Sequence, residues 1–274
     1  MNFEQTYPNG FELKQKSGFQ LPEPVVFNYS NLWRHEKPLL DVIKDTYGNR
    51  QLDTLGGSYG WSVRYQQAAE YQKINLHTLG AYLEAFSEGD ITLPYLRHLS
   101  IHRAMPALKA HIHDPQQFSP NWVTHRLLDK LGGPELFIGQ QGTSFGQLHQ
   151  DQVSVHVGFV QLQGEKAFTL FPPKDTAYLQ STPGKEFPYQ RRNSKLKYAD
   201  LNDMEQHPEL RRTHPVKLVL KPGQALLMPA DWWHTTLNLT DSVSYSIRIV
   251  NRSNALKVIS RYAEGIPRLL GIGR

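Results

Sequence analysis

The stretch LHQDQVSVHVGFVQLQGEKAFTLFPP, Leu148 to Pro173, sets a histidine and an aspartate two residues apart, ahead of a largely apolar run that contains a single lysine, Lys166. Its Val, Phe and Thr content, closed by two prolines, reads as strand. Along a strand residues i and i+2 share a face, so His149 and Asp151 can offer an imidazole nitrogen and a carboxylate oxygen to one point. The spacing alone carries little, because 12 His and 12 Asp in 274 residues give about half an instance of His-x-Asp by chance. Two donors on one strand need a third from elsewhere. The candidate is His234, in the strand-like segment QALLMPADWWHTTLNL.

Two histidines and one carboxylate leave coordination positions open for cosubstrate and dioxygen in non-haem Fe(II) oxygenases, and zinc hydrolases use the same donors. Lys166 bears on that choice. An ammonium amid β residues is costly to bury without an anion. A dicarboxylate that chelates a metal through its 2-oxo acid end would hold its distal carboxylate several ångströms away, where a lysine can pair with it. In SVSYSIRIV, Ser246 and Arg248 share strand parity and can add a hydroxyl or a guanidinium to the same wall, which makes Arg248 a rival to Lys166. His156, seven residues beyond His149, falls on the opposite face and reads as structural. His98, His102, His111 and His113 suggest a second cluster, but Pro106 interrupts any single helix carrying all four, so they read as solvated or lead-in positions.

The chain is long enough for a substantial core, and its 39% hydrophobic content with five Trp, 13 Tyr and 12 Phe describes a globular, strand-rich protein. With no cysteine there is no disulfide, thiolate nucleophile or zinc-thiolate site, so a metal must be held by His, Asp or Glu. The N-terminus lacks the apolar run of a signal peptide and no stretch is long enough to span a membrane, which predicts a soluble, cytoplasmic protein without membrane association. The net charge of +5 comes from 30 basic and 25 acidic residues, mostly interleaved. The most basic segment, Lys185 to Lys197, is followed closely by Asp200, Asp203, Glu205 and Glu209, and reads as a solvated loop face rather than a nucleic-acid groove.

Three regions follow from the patterning. Residues 1–135 mix strand and helix: PVVFNY alternates, Ser30 to Gly48 has helical spacing, and INLHTLGAYLEAFSEG and LPYLRHLSIHRAMPALKAHI do too, with breaks at Pro94 and Pro106. Residues 136–252 are short β runs, VSVHVGFVQLQ, AFTLFPP, VKLVLKPGQALLMP and SVSYSIRIV, with KPGQ as a tight turn. Residues 253–274 begin as an amphipathic helix after Asn254, which packs on the barrel or serves a homodimer contact. The fold class is mainly β with added helices.

These residues resemble the Jumonji C and cupin-like 2-oxoglutarate oxygenases, whose core is a double-stranded β-helix, or jelly roll. The likeness covers roughly residues 137–249, with GTSFGQLHQD, QGEKAFTLFPP and PGQALLMPADWWHTTLNL in the family's order. It implies His149, Asp151 and His234 as Fe(II) ligands and Lys166 as partner of the distal carboxylate of 2-oxoglutarate. With O2, the cosubstrate would be oxidatively decarboxylated to succinate and CO2 while a substrate is hydroxylated. The implied substrate is a side chain of a protein or peptide, with a small metabolite or an RNA base as alternative; the compact chain favours hydroxylation over demethylation. Two other readings are a cupin metalloenzyme without cosubstrate and an inactive binding module. The sequence departs from the family at Gly146, where many members carry Thr or Ser, which shifts that cosubstrate contact to Thr143 or Ser144. It departs again at Phe159, where some carry Asn.

Overall fold

The computed structural model describes residues 23–52, 62–64, 78–90, 93, 95–122, 133–144, 147–182 and 192–269. Two antiparallel sheets face one another. The larger contains β1 (Val25–Asn28), β2 (Ser62–Arg64), β3 (Tyr95–Ser100), β4 (Glu135–Gly139), β6 (His156–Gln163), β11 (Gln224–Met228) and β13 (Ser242–Ile249), in the order β1-β11-β6-β13-β4-β3-β2. The smaller contains β5 (Gln147–Gln150), β7 (Lys166–Phe171), β8 (Ser181–Thr182), β9 (Asn193–Lys197), β10 (Val216–Leu220) and β12 (Trp233–Asn238), in the order β10-β7-β12-β5-β9-β8. Within the barrel, neighbours in space are distant in sequence, as in the pairings β11–β6, β13–β4 and β12–β5, and the arrangement is a jelly roll, as the family resemblance implies. The KPGQ turn forms with Gly223 at φ +79°, and it carries the chain from the smaller sheet to the larger.

Strand alternation sorts the side chains. On the smaller sheet Leu148, Phe171 and Trp233 pack outward with Leu179, Leu196, Leu201 and Leu210 under short 3-10 segments. Their neighbours His149, Leu170 and His234 therefore point inward. Val157 and Phe159 of the larger sheet meet Phe168, Leu170 and Leu218 of the smaller one between the sheets. On the far side of the larger sheet, α1 (Leu39–Tyr47) and α2 (Leu79–Ser87) bury Ile43, Leu79, Tyr82 and Phe86 against Leu96, Ile138 and Tyr245. A fully buried leucine or phenylalanine of this kind contributes about 1.5–3 kcal/mol.

Three elements differ from their sequence readings. The helix expected from Ser30 starts at Leu39, because Pro38 has no N–H and holds an extended backbone at φ −54°, ψ 149°. Tyr95–Ser100, read as helical, is strand β3, paired to β4; the helix α3 that follows is one turn, Ile101–Ala104. Val153–Val155, expected within a strand, turns instead, and β6 starts at His156. The C-terminal helix α4 (Ala255–Leu269) forms as expected, with Val258 buried against the barrel and Leu256 and Ile259 exposed. Among the described residues no helix is long and apolar enough to cross a membrane.

Candidate metal centre and cosubstrate cleft

His149 on β5 and His234 on β12 are direct cross-strand partners, which brings their ring centroids to 4.1 Å. Asp151 lies just past the end of β5 in extended backbone, and its Oδ2 is 3.8 Å from His234 Nε2. One donor atom from each of the three residues falls within 4.8 Å of the others. The His149 Nδ1–H donates to the Gln147 carbonyl at 2.9 Å, and His234 Nδ1 is directed at the Trp232 carbonyl at 3.4 Å. A ring that donates from Nδ1 keeps its lone pair on Nε2, the tautomer a metal requires. Two imidazoles and a carboxylate suit a divalent transition metal.

The three residues line a cleft between the sheets, together with Tyr95, His98, Glu135, Phe137, Phe159, Lys166, Thr236, Ser246 and Arg248. Lys166 is 3% exposed. Its ammonium donates to the Tyr95 hydroxyl at 2.9 Å and lies 5.4 and 5.7 Å from the Tyr95 and Phe137 ring centroids. No carboxylate among the described residues is within ion-pair distance of it. Arg248 differs: its Nη1 donates to Glu135 Oε1 at 3.1 Å, and Glu135 Oε2 is 2.8 Å from His98 Nδ1. Burial would raise the Glu135 pKa, but Arg248 and His98 pull it down to about 2. Burial would likewise lower that of Arg248, yet Glu135, and Asp151 at longer range, hold it above its ordinary value. The rivalry between the two cations thus has a structural asymmetry, since Arg248 has its carboxylate and Lys166 does not.

Ser246 lies in the cleft wall. Thr143 does not: its hydroxyl donates to the Gln140 carbonyl at 2.6 Å and accepts from Asn238 at 2.9 Å. Gly146 and residues 185–191 of the basic segment lie outside the described residues. Phe159 places a ring 6.3 Å from that of His234. Neither Trp232 nor Trp233 lines the cleft: Trp232 packs in the apolar cluster between the sheets, and Trp233 faces outward and donates to Thr176 Oγ1 at 2.9 Å. His156 faces away from the cleft, as expected, although the turn at Val153–Val155 breaks the strand on which that parity was counted and its orientation is set within β6 instead. His98, read as a lead-in position, belongs to the cleft, because φ +59° at an irregularity of the β3–β4 ladder turns its ring onto Glu135 and Phe137. Tyr95, Glu135, Phe137 and Thr236 were not legible as site residues. They carry no local motif, and only strand pairing brings them to the cleft.

A jelly roll with a two-histidine, one-carboxylate cluster between its sheets is a cupin-type barrel with a candidate metal centre. The cupin-like domain family matches residues 22–249, and the chain belongs to that family. The 2-oxoglutarate and iron-dependent oxygenase JMJD4 of Mus musculus is 24% identical over 275 residues, covering 93% of this chain and 62% of its own. HSPB1-associated protein 1 of Homo sapiens is 34% identical over 113 residues, 41% of this chain and 22% of that protein. The tRNA wybutosine-synthesizing protein 4 of Gibberella zeae is 37% identical over 94 residues, 34% of this chain and 8% of that protein. The chain spans less than two thirds of each of these relatives.

Proposed function

We propose that the protein is an Fe(II)- and 2-oxoglutarate-dependent oxygenase that hydroxylates a side chain of a protein or peptide. The observation that carries the reading is Lys166: a buried ammonium whose only hydrogen-bond partner among the described residues is a neutral hydroxyl, in the same cleft as a His, Asp, His donor set. Such a cation calls for an anion from outside the chain. Likeness to a protein named as a 2-oxoglutarate and iron-dependent oxygenase along 93% of the chain supports the same reading.

In this reading His149, Asp151 and His234 hold the iron, and Lys166 with the Tyr95 hydroxyl holds the distal carboxylate. Bound iron supplies activation of O2, coupled to decarboxylation of 2-oxoglutarate to succinate and CO2. The chain's own residues position and exclude. The Gln147 and Trp232 carbonyls fix the two imidazoles, while Phe137, Val157 and Phe159 line the wall and keep bulk water from the reacting centre. Protein over nucleic acid is supported by β9, where Ser194 and Leu196 are buried and Lys195 and Lys197 alternate outward, a solvated edge followed by acidic residues. The cytoplasm is the proposed compartment.

The test begins anaerobically. Fe(II) and then 2-oxoglutarate are added to the purified apoprotein and the visible charge-transfer band is followed. The band is expected in the parent, lost in His234→Ala, and in need of far more 2-oxoglutarate in Lys166→Ala. Iron binding without a band would overturn the cosubstrate and favour a cupin metalloenzyme, and no metal binding would favour a binding module. Succinate release in air, with peptide mixtures in one arm and bulk tRNA in the other, then tests the substrate class.

A further inference from the structure

The loops that carry two of the candidate ligands are strained. Val153 (φ 50°) and Ser154 (φ 55°) follow Asp151 in left-handed backbone, and Asp231 (φ 66°) does the same three residues before His234. Left-handed backbone is rare for residues other than glycine, and for a β-branched valine it is an outlier that surrounding structure must impose. The imposing contacts form one network. Ser154 Oγ donates to Asp231 Oδ1 at 2.7 Å, and Gln150 Nε2 donates to the Asp231 carbonyl at 2.5 Å, tying one ligand loop to the other. The Ala230 N–H donates to His156 Nδ1 at 2.9 Å, so His156 Nε2–H donates to Ser253 Oγ at 2.7 Å.

The start of α4 closes the network from outside. Asn254 is buried, and its amide donates to the Ser154 carbonyl at 3.2 Å and the Ile249 carbonyl at 2.9 Å. Lys257 Nζ lies 3.6 Å from Asp231 Oδ2. Val258 packs in one apolar cluster with Val153 of the first loop and Trp232 of the second. Both loops are thus gripped by one turn of helix.

We infer that Ser154, Asp231 and Asn254 are positioning residues for the metal centre: they clamp the Asp151 and His234 loops in strained backbone so that the donors converge before any metal arrives. None of the three touches the donor cluster, and they act through the loops. The inference rests on the metal reading above. It means that the C-terminal helix, beyond the residues the family model matches, belongs functionally to the site.

The test is a Co(II) titration of the full-length apoprotein, read by the visible d–d absorption, with near-UV circular dichroism to show that each variant is folded. Asp231→Ala and Asn254→Ala are expected to weaken Co(II) binding by roughly 10- to 100-fold, the range for groups that orient ligands. Asp231→Asn keeps an oxygen that accepts from Ser154 and removes only the charge facing Lys257, so its affinity should return to near the parent's. Folded Asp231→Ala that binds Co(II) like the parent would overturn the inference, as would Asp231→Asn no tighter than Asp231→Ala. Should Asp231→Ala not fold, Ser154→Ala, which deletes one hydroxyl, decides the matter by the same criterion. A parent that binds no Co(II) sinks the metal reading itself.

Discussion

At the residue scale the decisive group is Lys166, because its burial is unfavourable in the protein alone. Its ammonium is removed from water and met by one phenolic oxygen and two ring faces. Replacing a buried, poorly compensated charge with an apolar side chain of similar volume is neutral or stabilising. Lys166→Met should therefore leave the ligand-free protein as stable as the parent or up to about 2 kcal/mol more stable in urea unfolding. Its 2-oxoglutarate affinity should fall at least about 30-fold, the lower end for truncating one partner of a buried charge pair. A loss of several kcal/mol in the ligand-free protein would make the lysine structural. His156 is the contrasting case, with both ring nitrogens satisfied. Burial is the main cause that brings its pKa from 6.5 to about 4; Asp231 opposes that shift and Lys257 reinforces it. The folded-state value lies below the unfolded one, so its contribution is complete above about pH 6.5 and is lost as pH falls toward 4. That loss is on the order of 3 kcal/mol. Glu135 titrates in a lower window, from 4.5 to about 2, so the two steps separate. Urea unfolding of parent and His156→Gln across pH 7 to 4 checks this. The variant's curve should be flatter, and parallel curves would refute the assignment.

At the scale of elements, what was legible depended on whether a segment's neighbours lay within its own pattern. β7, β11 and β13 alternate or run apolar between Gly and Pro, so their strand character and inward parity could be read directly, and with them Lys166 and Ser246; His149 on β5 and His234 on β12 were legible from the His-x-Asp spacing and the strand-like segment around the second histidine. β3 could not be read, because its apolar residues run straight into a helical turn and its bulge at His98 breaks the alternation. The Glu135 partnership of Arg248 was equally hidden, since it joins β4 to β13 across 113 residues of sequence. The turn between β6 and β7 shows how an element depends on a neighbour. Gly164 has φ +68°, and a Cβ there would run into the Asp241 carbonyl at the start of β13. Neither can shift without moving a strand. Gly164→Ala should cost about 2–4 kcal/mol, more than the usual left-handed penalty because a backbone clash adds to it. Urea unfolding measures it, and a change below about 0.5 kcal/mol, the usual span of surface substitutions, would mean that the turn relaxes freely.

At the scale of the molecule, the cleft draws on both sheets. Its candidate metal donors and Lys166 come from or adjoin β5, β7 and β12 of the smaller sheet, and Tyr95, Phe137, Phe159 and Arg248 come from the larger. A ligand that bridges the two holds together the faces whose separation is unfolding, so occupancy should appear as stability of the whole barrel. A ligand bound only to the folded state at 100 times its Kd adds about 2.7 kcal/mol. In a chain of this size each kcal/mol raises Tm by roughly 2 °C, so Co(II) alone should raise it by about 5 °C and 2-oxoglutarate by a further similar amount. The two increments should come apart by variant. Lys166→Met should keep the Co(II) increment and lose most of the second, whereas His234→Ala should lose both, because the cosubstrate's 2-oxo acid end then has no metal to chelate. Differential scanning calorimetry at fixed ligand concentrations reads these shifts directly. A Lys166→Met protein that loses the Co(II) increment as well would show that the lysine supports the donor cluster rather than a separate carboxylate, and a parent whose Tm responds to 2-oxoglutarate without metal would place the anion's main anchor on the protein instead of the ion.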